Sequence, residues 1–255
     1  MKDATEVLSW YLMAGIDEIA ADEPCNALKS KVSGATSKKE ITVRPATTLL
    51  AQENSAACLN AKDKCRDAAD LNQLKNIMEN FEGCSLKFSA NSTVFGDGNP
   101  EAKVMLIGEA PGADEDRIGK PFVGRSGQLL EKMLKTIGLE RADCYITNVL
   151  PWRPPGNRTP TDGEVAVCLP FLLRQIELIN PQIVFLLGGS AANAVLNNND
   201  SISSLRGKML EICLENGTKI PALASFHPAY LLRNSGQKAK SWSDLLRLKR
   251  HLLKE

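Results

Sequence analysis

The chain has 255 residues, of which 43% are hydrophobic and 24% are charged, and its formal net charge is +1 at pH 7. These values are typical of a soluble globular protein with one full-sized domain and a shorter appended segment. No apolar run approaches the ~20 residues that a bilayer-spanning helix needs, and the N-terminus lacks the apolar block of a signal peptide. We therefore expect a cytoplasmic protein that has no contact with a membrane.

The first 80 residues predict a helical N-terminal extension. Apolar spacing indicates a short helix over residues 4–20, and the composition of residues 48–80 favours further helix. Residues 27–47 are polar with few large apolar side chains, which is typical of a flexible linker. The first 26 residues are strongly acidic. This extension either docks a repair or replication protein or is a simple packing extension of the core.

From about residue 81 the sequence predicts a domain of alternating strands and helices. Three short apolar runs read as strands, at residues 103–107, 144–150 and 182–188. Each is followed by a helical pattern, at residues 125–138, 161–179 and 190–197. Such alternation predicts a parallel sheet that helices cover on both faces. Two further strand-like runs, "KMLEICL" and "IPALASF", and a final helix over 240–253 complete the domain, which we expect to span residues 81–255.

The last segment of the chain is basic. From Arg233 to Glu255 there are seven Lys and Arg residues against two acidic ones. Such a segment could follow a nucleic-acid backbone. The alternative is an amphipathic helix whose charged face is solvated.

Three polar clusters follow predicted strands. They read "GEAPGADED", "TNVLPWRPPGN" and "FHPAYLLR", and they begin at residues 108, 147 and 226. Ligands of open α/β sheets bind beyond the carboxyl ends of the strands. The clusters are therefore predicted to converge on one crevice.

The first cluster does not suit a polyphosphate. It has neither the G-K-[ST] of a P-loop nor the dinucleotide pattern G-x-G-x-x-G. Its acidic residues suit a site where positive charge develops during a reaction. A functional role is favoured for Glu109, whereas Asp114 and Asp116 are expected to be solvated turn or capping residues. Arg125 and Ser126 lie at a predicted helix start that could hold one phosphate.

Several residue types in these clusters suit a nucleobase. Phe122 lies in a polar, Gly-rich stretch, where its ring could stack on a planar base or anchor the loop. Asn148 ends a strand and could offer a donor and an acceptor to one edge of a base, or be satisfied by nearby backbone. Asn157 is a further pocket residue or a plain turn residue. Leu231 and Leu232 fit a wedge that enters a base stack while Arg233 holds a phosphate, unless both leucines begin a buried helix.

Together, the three clusters resemble the uracil-DNA glycosylase superfamily, and most closely its type-4 branch. The motif-bearing stretches are "GEAPGADEDRIGKPFVGRSGQLL", "YITNVLPWRPPGNRTP" and "FHPAYLLR", which stand in the family's order. The resemblance covers residues 81 to about 250. It implies a three-layer α/β/α sandwich around a mostly parallel four-stranded sheet. It also implies an enzyme of base excision repair that flips uracil out of DNA, hydrolyses its glycosidic bond and leaves an abasic site.

The resemblance assigns roles in the first motif. Gly108, Glu109 and Ala110 would line the uracil pocket. Glu109 would position or polarise the attacking water, and Glu115 would support the loop.

The resemblance also assigns roles to residues of the other motifs. Phe122 would stack on the flipped uracil, Asn148 would read its O4 and N3 edge, and Asn157 would be a pocket or loop residue. His227 would donate a hydrogen bond to O2 as uracil leaves with negative charge, and Leu231 would occupy the vacated place in the duplex.

One departure from the family pattern concerns its four-iron four-sulfur cluster, which four cysteines bind. Cys84 and Cys168 remain, whereas Phe81 and Trp152 stand at the other two ligand positions. Two ligands of four cannot hold such a cluster in the usual way. We therefore expect no bound metal or cofactor, with the two aromatic side chains filling the cluster's volume.

Other functions on the same fold stay open from the sequence. One is a glycosylase for another deaminated base, such as hypoxanthine, and a second is a non-catalytic DNA-binding or polymerase-associated module. A nucleotide hydrolase is disfavoured because the chain has no metal-ligand pattern. The expected substrate is uracil-containing DNA, and a monomer is expected.

Overall fold

The computed structural model describes residues 46–253, with side chains from residue 56 onward. Its centre is a six-stranded sheet in the order β1-β3-β2-β4-β6-β5. The strands are Asp97–Gly98 (β1), Val104–Gly108 (β2), Cys144–Asn148 (β3), Ile183–Leu187 (β4), Met209–Cys213 (β5) and Lys219–Ser225 (β6). The four inner strands, β3, β2, β4 and β6, run parallel, and β1 and β5 pair antiparallel at the two edges.

The burial of the strands explains their sequences. Every residue of β2, β3 and β4 is buried, which is why these runs are continuously apolar rather than alternating. The edge strand β5 is mostly exposed. The predicted parallel four-stranded sheet is confirmed as the inner part of a wider sheet. The extra edge strand β1 has only two residues, too few to give a periodic signal.

Helices cover both faces of the sheet, as the sequence predicts. The longer ones are Ala46–Arg66 (α1), Leu71–Glu79 (α2), Arg125–Thr136 (α5), Asp162–Ile179 (α6), Gly189–Leu196 (α7) and Lys238–Leu252 (α10). The shorter ones are Leu86–Ser89 (α3), Ala113–Ile118 (α4), Ile202–Leu205 (α8) and Pro228–Arg233 (α9). None of the described helices is long and apolar enough to cross a bilayer.

Two apolar clusters fill the space between the layers. Leu106 and Phe185 project from the strands into the cluster shared with α5, α9 and α10. Met105 and Val184, one position away, join the cluster shared with α1, α2, α6 and α7. Because neighbouring residues of a strand point to opposite faces, each inner strand contributes to both clusters and fixes a three-layer α/β/α arrangement.

Helices α1 and α2 form where the sequence predicts helix over residues 48–80. Leu74 and Met78 of α2 are buried in the same apolar cluster as α6. Asp70 caps α2 by accepting a hydrogen bond from the Gln73 amide at 2.8 Å. The helix predicted over residues 4–20 and most of the linker predicted over 27–47 lie outside the described residues. The domain boundary near residue 80 stays a prediction.

Candidate active site

A cavity of about 340 Å³ opens at the edge of the sheet where β2, β3 and β6 end. Residues from all three polar clusters and from the start of α5 line it. The predicted site residues found in its wall are Glu109, Ala110, Glu115, Phe122, Ser126, Asn148, Asn157, His227 and Arg233. Loops far apart in sequence therefore contribute to one site, as expected at the carboxyl edge of a parallel sheet.

A buried carboxylate shapes the loop that follows β2. Glu115 is 7% exposed, and it accepts hydrogen bonds from the backbone amides of Gly112, Val123 and Gly124 at 3.1, 3.0 and 2.9 Å. These charge-assisted bonds tie the start of α4 to the turn before α5. The loop's acidic character is thus partly structural, because this carboxylate satisfies three amides that would otherwise lack partners.

The other acidic residues of this loop differ from one another in their surroundings. Asp114 is on the surface and pairs with Arg117 at 3.5 Å. Asp116, expected to be solvated, is instead 2% exposed and accepts hydrogen bonds from the Asn91 backbone and side-chain amides at 2.8 and 2.6 Å. The solvated placement of Asp116 is therefore wrong, because its partners come from a distant loop. Glu109 lines the cavity half-buried and makes no hydrogen bond with another side chain in the described part of the chain.

Gly108, Phe122 and Asn148 meet at the floor of the cavity. Gly108 ends β2 opposite Asn148, which ends β3. A Cβ atom on Gly108 would collide with Asn148 Oδ1 and lie 2.6 Å from Phe122 Cζ. Only glycine at position 108 therefore allows the ring of Phe122 and the amide of Asn148 to approach the backbone this closely.

The backbone of Phe122 is held in an unusual conformation. Its φ angle is 52°, in the left-handed region that bulky side chains rarely adopt. Arg141 donates hydrogen bonds to the carbonyl oxygens of Phe122 at 3.1 Å and Pro121 at 2.6 Å, and a third to Asp97 at 2.6 Å. At Gly127 a Cβ atom would overlap the Phe122 carbonyl. This set of contacts, which we call the Arg141 clamp, stabilises a conformation that costs about 1–3 kcal/mol alone.

His227 is oriented as a neutral donor towards the cavity. Its Nδ1 accepts a hydrogen bond from the Ala229 amide at 3.1 Å, so the proton of the neutral ring is on Nε2. Burial, followed by the charge of Arg233, lowers the pKa of His227 to about 4, and Glu115 opposes the shift. The imidazole is 5.6 Å from the ring of Phe122, with an angle of 31° between the two planes.

The Pro-rich loop closes another side of the cavity. Asn157 has a φ angle of 56°, and its Oδ1 accepts a hydrogen bond from Arg153 Nε at 2.8 Å. Arg158 binds Glu164, the residue that caps the start of α6 together with Thr161. The amide oxygen of Asn157 therefore has one protein partner, whereas its NH₂ group has none among the described residues.

The residues predicted to contact DNA differ in their exposure to solvent. Arg233 and Arg125 are exposed, and Arg233 and Ser126 line the cavity. Leu231, predicted as the wedge, is 1% exposed and packs in the apolar cluster with α5 and α10. Its burial favours the alternative that the sequence left open, the start of a buried helix, and its role as a wedge stays a prediction. Its neighbour Leu232 is 42% exposed.

The residues at the family's cluster positions do not fit an iron–sulfur cluster. Cys84 and Cys168 have their Sγ atoms 3.9 Å apart, and the thiol of Cys168 acts as the hydrogen-bond donor, which lowers the pKa of Cys84 and raises that of Cys168. Phe81 and Trp152 are 2% and 1% exposed in the same apolar cluster. Among residues 56–253 no group of three or more His, Cys, Asp or Glu side chains could hold a metal ion.

Both aromatic side chains are packed specifically. The ring of Phe81 meets that of Phe171 edge-on, with centroids 5.1 Å apart, and Trp152 Nε1 donates a hydrogen bond to Thr93 Oγ1 at 3.0 Å. A buried indole N–H that has a partner is stable without any further ligand.

Comparison with known proteins agrees with this geometry. Residues 95–246 match the sequence model of the uracil DNA glycosylase superfamily. The type-4 uracil-DNA glycosylase of Thermotoga maritima is 43% identical over 152 residues, which are 59% of this chain and 77% of that protein. That of Archaeoglobus fulgidus is 46% identical over 153 residues, 58% of this chain and 76% of the relative. That of Pyrobaculum aerophilum is 37% identical over 180 residues, 69% and 91% of the two chains. The chain belongs to the uracil DNA glycosylase superfamily, as its motifs predict.

Proposed function

We propose that this member of the superfamily is a uracil-DNA glycosylase that removes uracil from DNA and leaves an abasic site. The observation that carries the proposal is the cavity that Phe122, Asn148 and His227 line together, the first two packed against Gly108. A flat ring, a side-chain amide and a neutral imidazole are the groups that a flipped pyrimidine needs. The type-4 relatives are named for the same activity.

Phe122 and Asn148, at the floor of the cavity, recognise the base. Phe122 stacks on the face of uracil, and such stacking is worth ~1–3 kcal/mol. Asn148, 5% exposed and rigidly placed at the end of β3, offers its amide N–H and oxygen to the O4 and N3–H edge of uracil. Because cytosine presents a donor and an acceptor in the opposite order along this edge, the same amide orientation disfavours it.

Bond cleavage separates two charges, and the site provides for both. Water adds to C1′ and loses one proton, while uracil leaves with the electron pair of the glycosidic bond and gains one proton. Glu109 lies on the sugar side, where its carboxylate orients the water and stabilises the cation-like sugar. His227 donates its Nε2–H to O2 of the departing uracil. Because the pKa of His227 is lowered to about 4, the ring is neutral at pH 7. It can therefore donate this hydrogen bond without forming an ion pair with the departing uracil anion.

We propose that the protein works without an iron–sulfur cluster. Phe81 and Trp152 are both buried in the apolar cluster that also contains Cys84 and Cys168, and their rings give this region a packed apolar core. No chemical step above passes through a metal. The enzyme therefore depends on side-chain packing where its relatives' family uses a bound cofactor.

Three further proposals rest on the sequence. The protein acts as a monomer, it works in the cytoplasm, and its N-terminal extension, residues 1–80, docks a repair or replication protein. The acidic composition of residues 1–26 supports the last of these, because such a segment suits a basic partner surface.

The decisive experiment is strand cleavage, after alkali, of a labelled oligonucleotide with one uracil opposite guanine. Wild type and Asn148→Ala are compared, with hypoxanthine and thymine substrates alongside. We expect cutting at uracil that falls by two or more orders of magnitude in the variant, roughly the cost of losing several polar contacts to the base. Cutting only at hypoxanthine would assign a different base, and DNA binding without any cutting would favour a non-catalytic module.

A further inference from the structure

A second groove, between α5 and α10, lies beside the candidate active site. It has a volume of about 230 Å³, and its apolar lining is Leu129, Met133, Leu231, Trp242 and Leu245. The indole of Trp242 is 41% exposed, whereas Trp152 is buried. An exposed indole that is contiguous with an apolar groove makes this surface a candidate binding site. We call this feature the Trp242 groove.

The Trp242 groove lies on two helices, α5 and α9, that also line the active-site cavity. On α5, Ser126 lines the active-site cavity, and Leu129 and Lys132 line the groove one and two turns later. The helix rises by about 9 Å over these six residues. On α9, Arg233 lines the cavity and Leu231 lines the groove. Because residues two apart on a helix point to different faces, the cavity and the groove lie on different faces of α9, and a strand that leaves the cavity reaches the groove along α5.

The charges at the groove are all of one sign. Lys132 and Lys238 line it and are exposed, and neither forms an ion pair within the described part of the chain. No Asp or Glu is among the described residues that line the groove. Two unpaired ammonium groups beside an open aromatic face suit a ligand that combines repeated negative charge with flat apolar rings, and a nucleic-acid strand has both.

We propose that the Trp242 groove binds an unpaired base of the DNA strand that contains the uracil, and that it thereby favours single-stranded substrate. The inference rests on the proposed function and names the substrate form of that site. A strand advances by about 3.4 Å per nucleotide when stacked, so the groove lies one to three nucleotides from the uracil. The base must be unpaired because in a duplex both of its faces are covered by neighbouring pairs.

The phosphates of the same strand would lie near the two lysines. Each phosphate neutralised on a single strand contributes about −0.7 to the slope of log affinity against log salt. Lys132 and Lys238 together should account for a slope of about −1.4. The indole and the ammonium groups therefore make separate, measurable contributions, one insensitive to salt and the other sensitive to it.

The test uses the full chain and oligonucleotides without uracil, so that binding is measured independently of cleavage. Affinity for a labelled single-stranded oligothymidylate and for its duplex is measured by anisotropy for wild type, Trp242→Ala and Trp242→Phe. We expect Trp242→Ala to weaken single-strand binding about tenfold, as loss of one stacked base predicts. Duplex binding should change less than about threefold, and Trp242→Phe should retain most of the affinity because a ring remains.

Two further readouts sharpen the test. Single-stranded oligothymidylate should quench the tryptophan fluorescence of Trp10→Phe, whose remaining tryptophans are Trp152 and Trp242, and the quench should fall when Trp242→Phe is added, because Trp152 is buried. The variant Lys132→Gln/Lys238→Gln should reduce the single-strand salt slope by about 1.4. Thermal unfolding confirms that each variant is folded. Since the side chain of Trp242 is partly exposed, its replacement leaves no large cavity.

Three results would overturn the proposal: unchanged single-strand affinity in Trp242→Ala, an equal loss on duplex, or quenching by a partner protein but not by oligothymidylate. The last would assign the groove to a protein ligand. Failure of the proposed function is distinguishable, because a chain that cuts no uracil could still bind the strand at Trp242. Conversely, a chain that cuts uracil with no contribution from Trp242 keeps its function and loses only this inference.

Discussion

The guanidinium of Arg141 holds the carbonyl oxygen of Phe122 at 3.1 Å, across 19 residues of sequence. The same group binds Pro121 and Asp97, so its position is set from two sides. Phe122 has a left-handed backbone, and its ring contacts the place where the base would bind. The orientation of a ring that is proposed to stack on uracil thus depends on a residue outside the cavity, which makes Arg141 a positioning residue.

Replacing Arg141 by Met should therefore impair catalysis while the protein stays folded. Without the clamp the Phe122 peptide relaxes towards an ordinary φ and displaces the ring, and a shift of about 1 Å can cost about 100-fold in rate. Stability should fall by only about 1–3 kcal/mol, the cost of leaving polar partners unsatisfied. The measurements are kcat and KM for a uracil oligonucleotide and the free energy of unfolding from urea titration.

Lys120→Met is the matched control for the Arg141 clamp. Lys120 also pairs with Asp97, at 3.0 Å, and it is largely exposed, yet it makes no contact with the Phe122 carbonyl. Its variant should keep kcat within about twofold, since exposed ion pairs contribute little. Equal losses in the two variants would show that Asp97, rather than the orientation of Phe122, matters.

Gly108→Ala should close the base pocket while the fold survives. The added methyl group meets Asn148 Oδ1 and the Phe122 ring, both of which are side-chain atoms that can move away. Overpacking of this kind costs about 1–3 kcal/mol of stability, whereas displacement of both base-contacting groups should reduce kcat/KM by more than about 100-fold. Gly236→Ala is the control, because a Cβ atom there meets nothing within 4 Å. Full activity in Gly108→Ala would place the base elsewhere.

Leu231 and Leu232 should give opposite results when each is changed to Ala. Leu231 is 1% exposed in the apolar cluster, so its loss should cost about 2–5 kcal/mol of stability. Leu232 is 42% exposed, so its loss should change stability by less than about 0.5 kcal/mol.

The activity of the two leucine variants tests which side chain enters the duplex. Leu232→Ala should slow cleavage of a U·G duplex about tenfold and leave single-stranded substrate nearly unaffected, because only the duplex has a stack to open. If Leu232→Ala cleaves duplex at the wild-type rate and folded Leu231→Ala cleaves it more slowly, Leu231 is the side chain that enters the base stack.

The leucine pair illustrates what the sequence could and could not predict. The inner strands and the meeting of the three clusters followed from apolar runs and from sheet topology, which local sequence encodes. The burial of Leu231 rather than Leu232 depends on the rotation of a one-and-a-half-turn helix against α5 and α10, and six residues are too few to define that rotation.

Arg141 and Asp116 were unpredictable for a related reason. Arg141 reaches Phe122 from the turn before β3, and Asp116 binds a loop that is 25 residues earlier in the chain. Neither contact has a local sequence signal, because the partners are joined only by tertiary packing. Glu115 was assigned to loop support through a family resemblance, and the three amides that it binds could not be derived from spacing.

The stability of the protein should depend on His227 in a specific pH window. Burial and the charge of Arg233 lower its pKa to about 4, whereas in the unfolded chain it is near 6.5. As pH falls below about 6.5, His227 becomes protonated in the unfolded state but stays neutral in the folded state. The free energy of unfolding therefore decreases until about pH 4. The stability that the neutral His227 contributes is fully present above its unfolded-state pKa of about 6.5. It is lost as pH falls towards its folded-state pKa of about 4.

The variant His227→Gln, which cannot take up a proton, isolates this effect. Between about pH 7 and pH 4.5, wild type should lose about 2–3 kcal/mol more stability than the variant. Urea titrations at the two pH values measure the difference. The acid limb of kcat/KM in wild type should likewise lie well below 6.5, because the neutral ring persists. Equal pH dependence in the two proteins would mean that His227 titrates normally.

An iron chelator should not change the activity or stability of this enzyme, whereas cysteines at positions 81 and 152 should create a metal site. Phe81 and Trp152 are buried in the same apolar cluster as Cys84 and Cys168, so an iron chelator should alter neither the activity of wild type nor its melting temperature. The variant Phe81→Cys/Trp152→Cys would place four thiols around the volume that the two rings vacate. After anaerobic reconstitution we expect it to bind iron and to show the visible absorbance of an iron–sulfur cluster.

Phe81→Ala/Trp152→Ala completes the argument, because it removes the rings without supplying ligands. Loss of a buried aromatic side chain costs about 3–5 kcal/mol, so this variant should be strongly destabilised, and iron should not rescue it. Rescue by iron of the cysteine variant alone would show that packing and ligation are interchangeable ways of stabilising this region. Stoichiometric iron in anaerobically purified wild type would contradict the proposal, because Cys84 and Cys168 would then need further ligands that residues 56–253 do not bring near them.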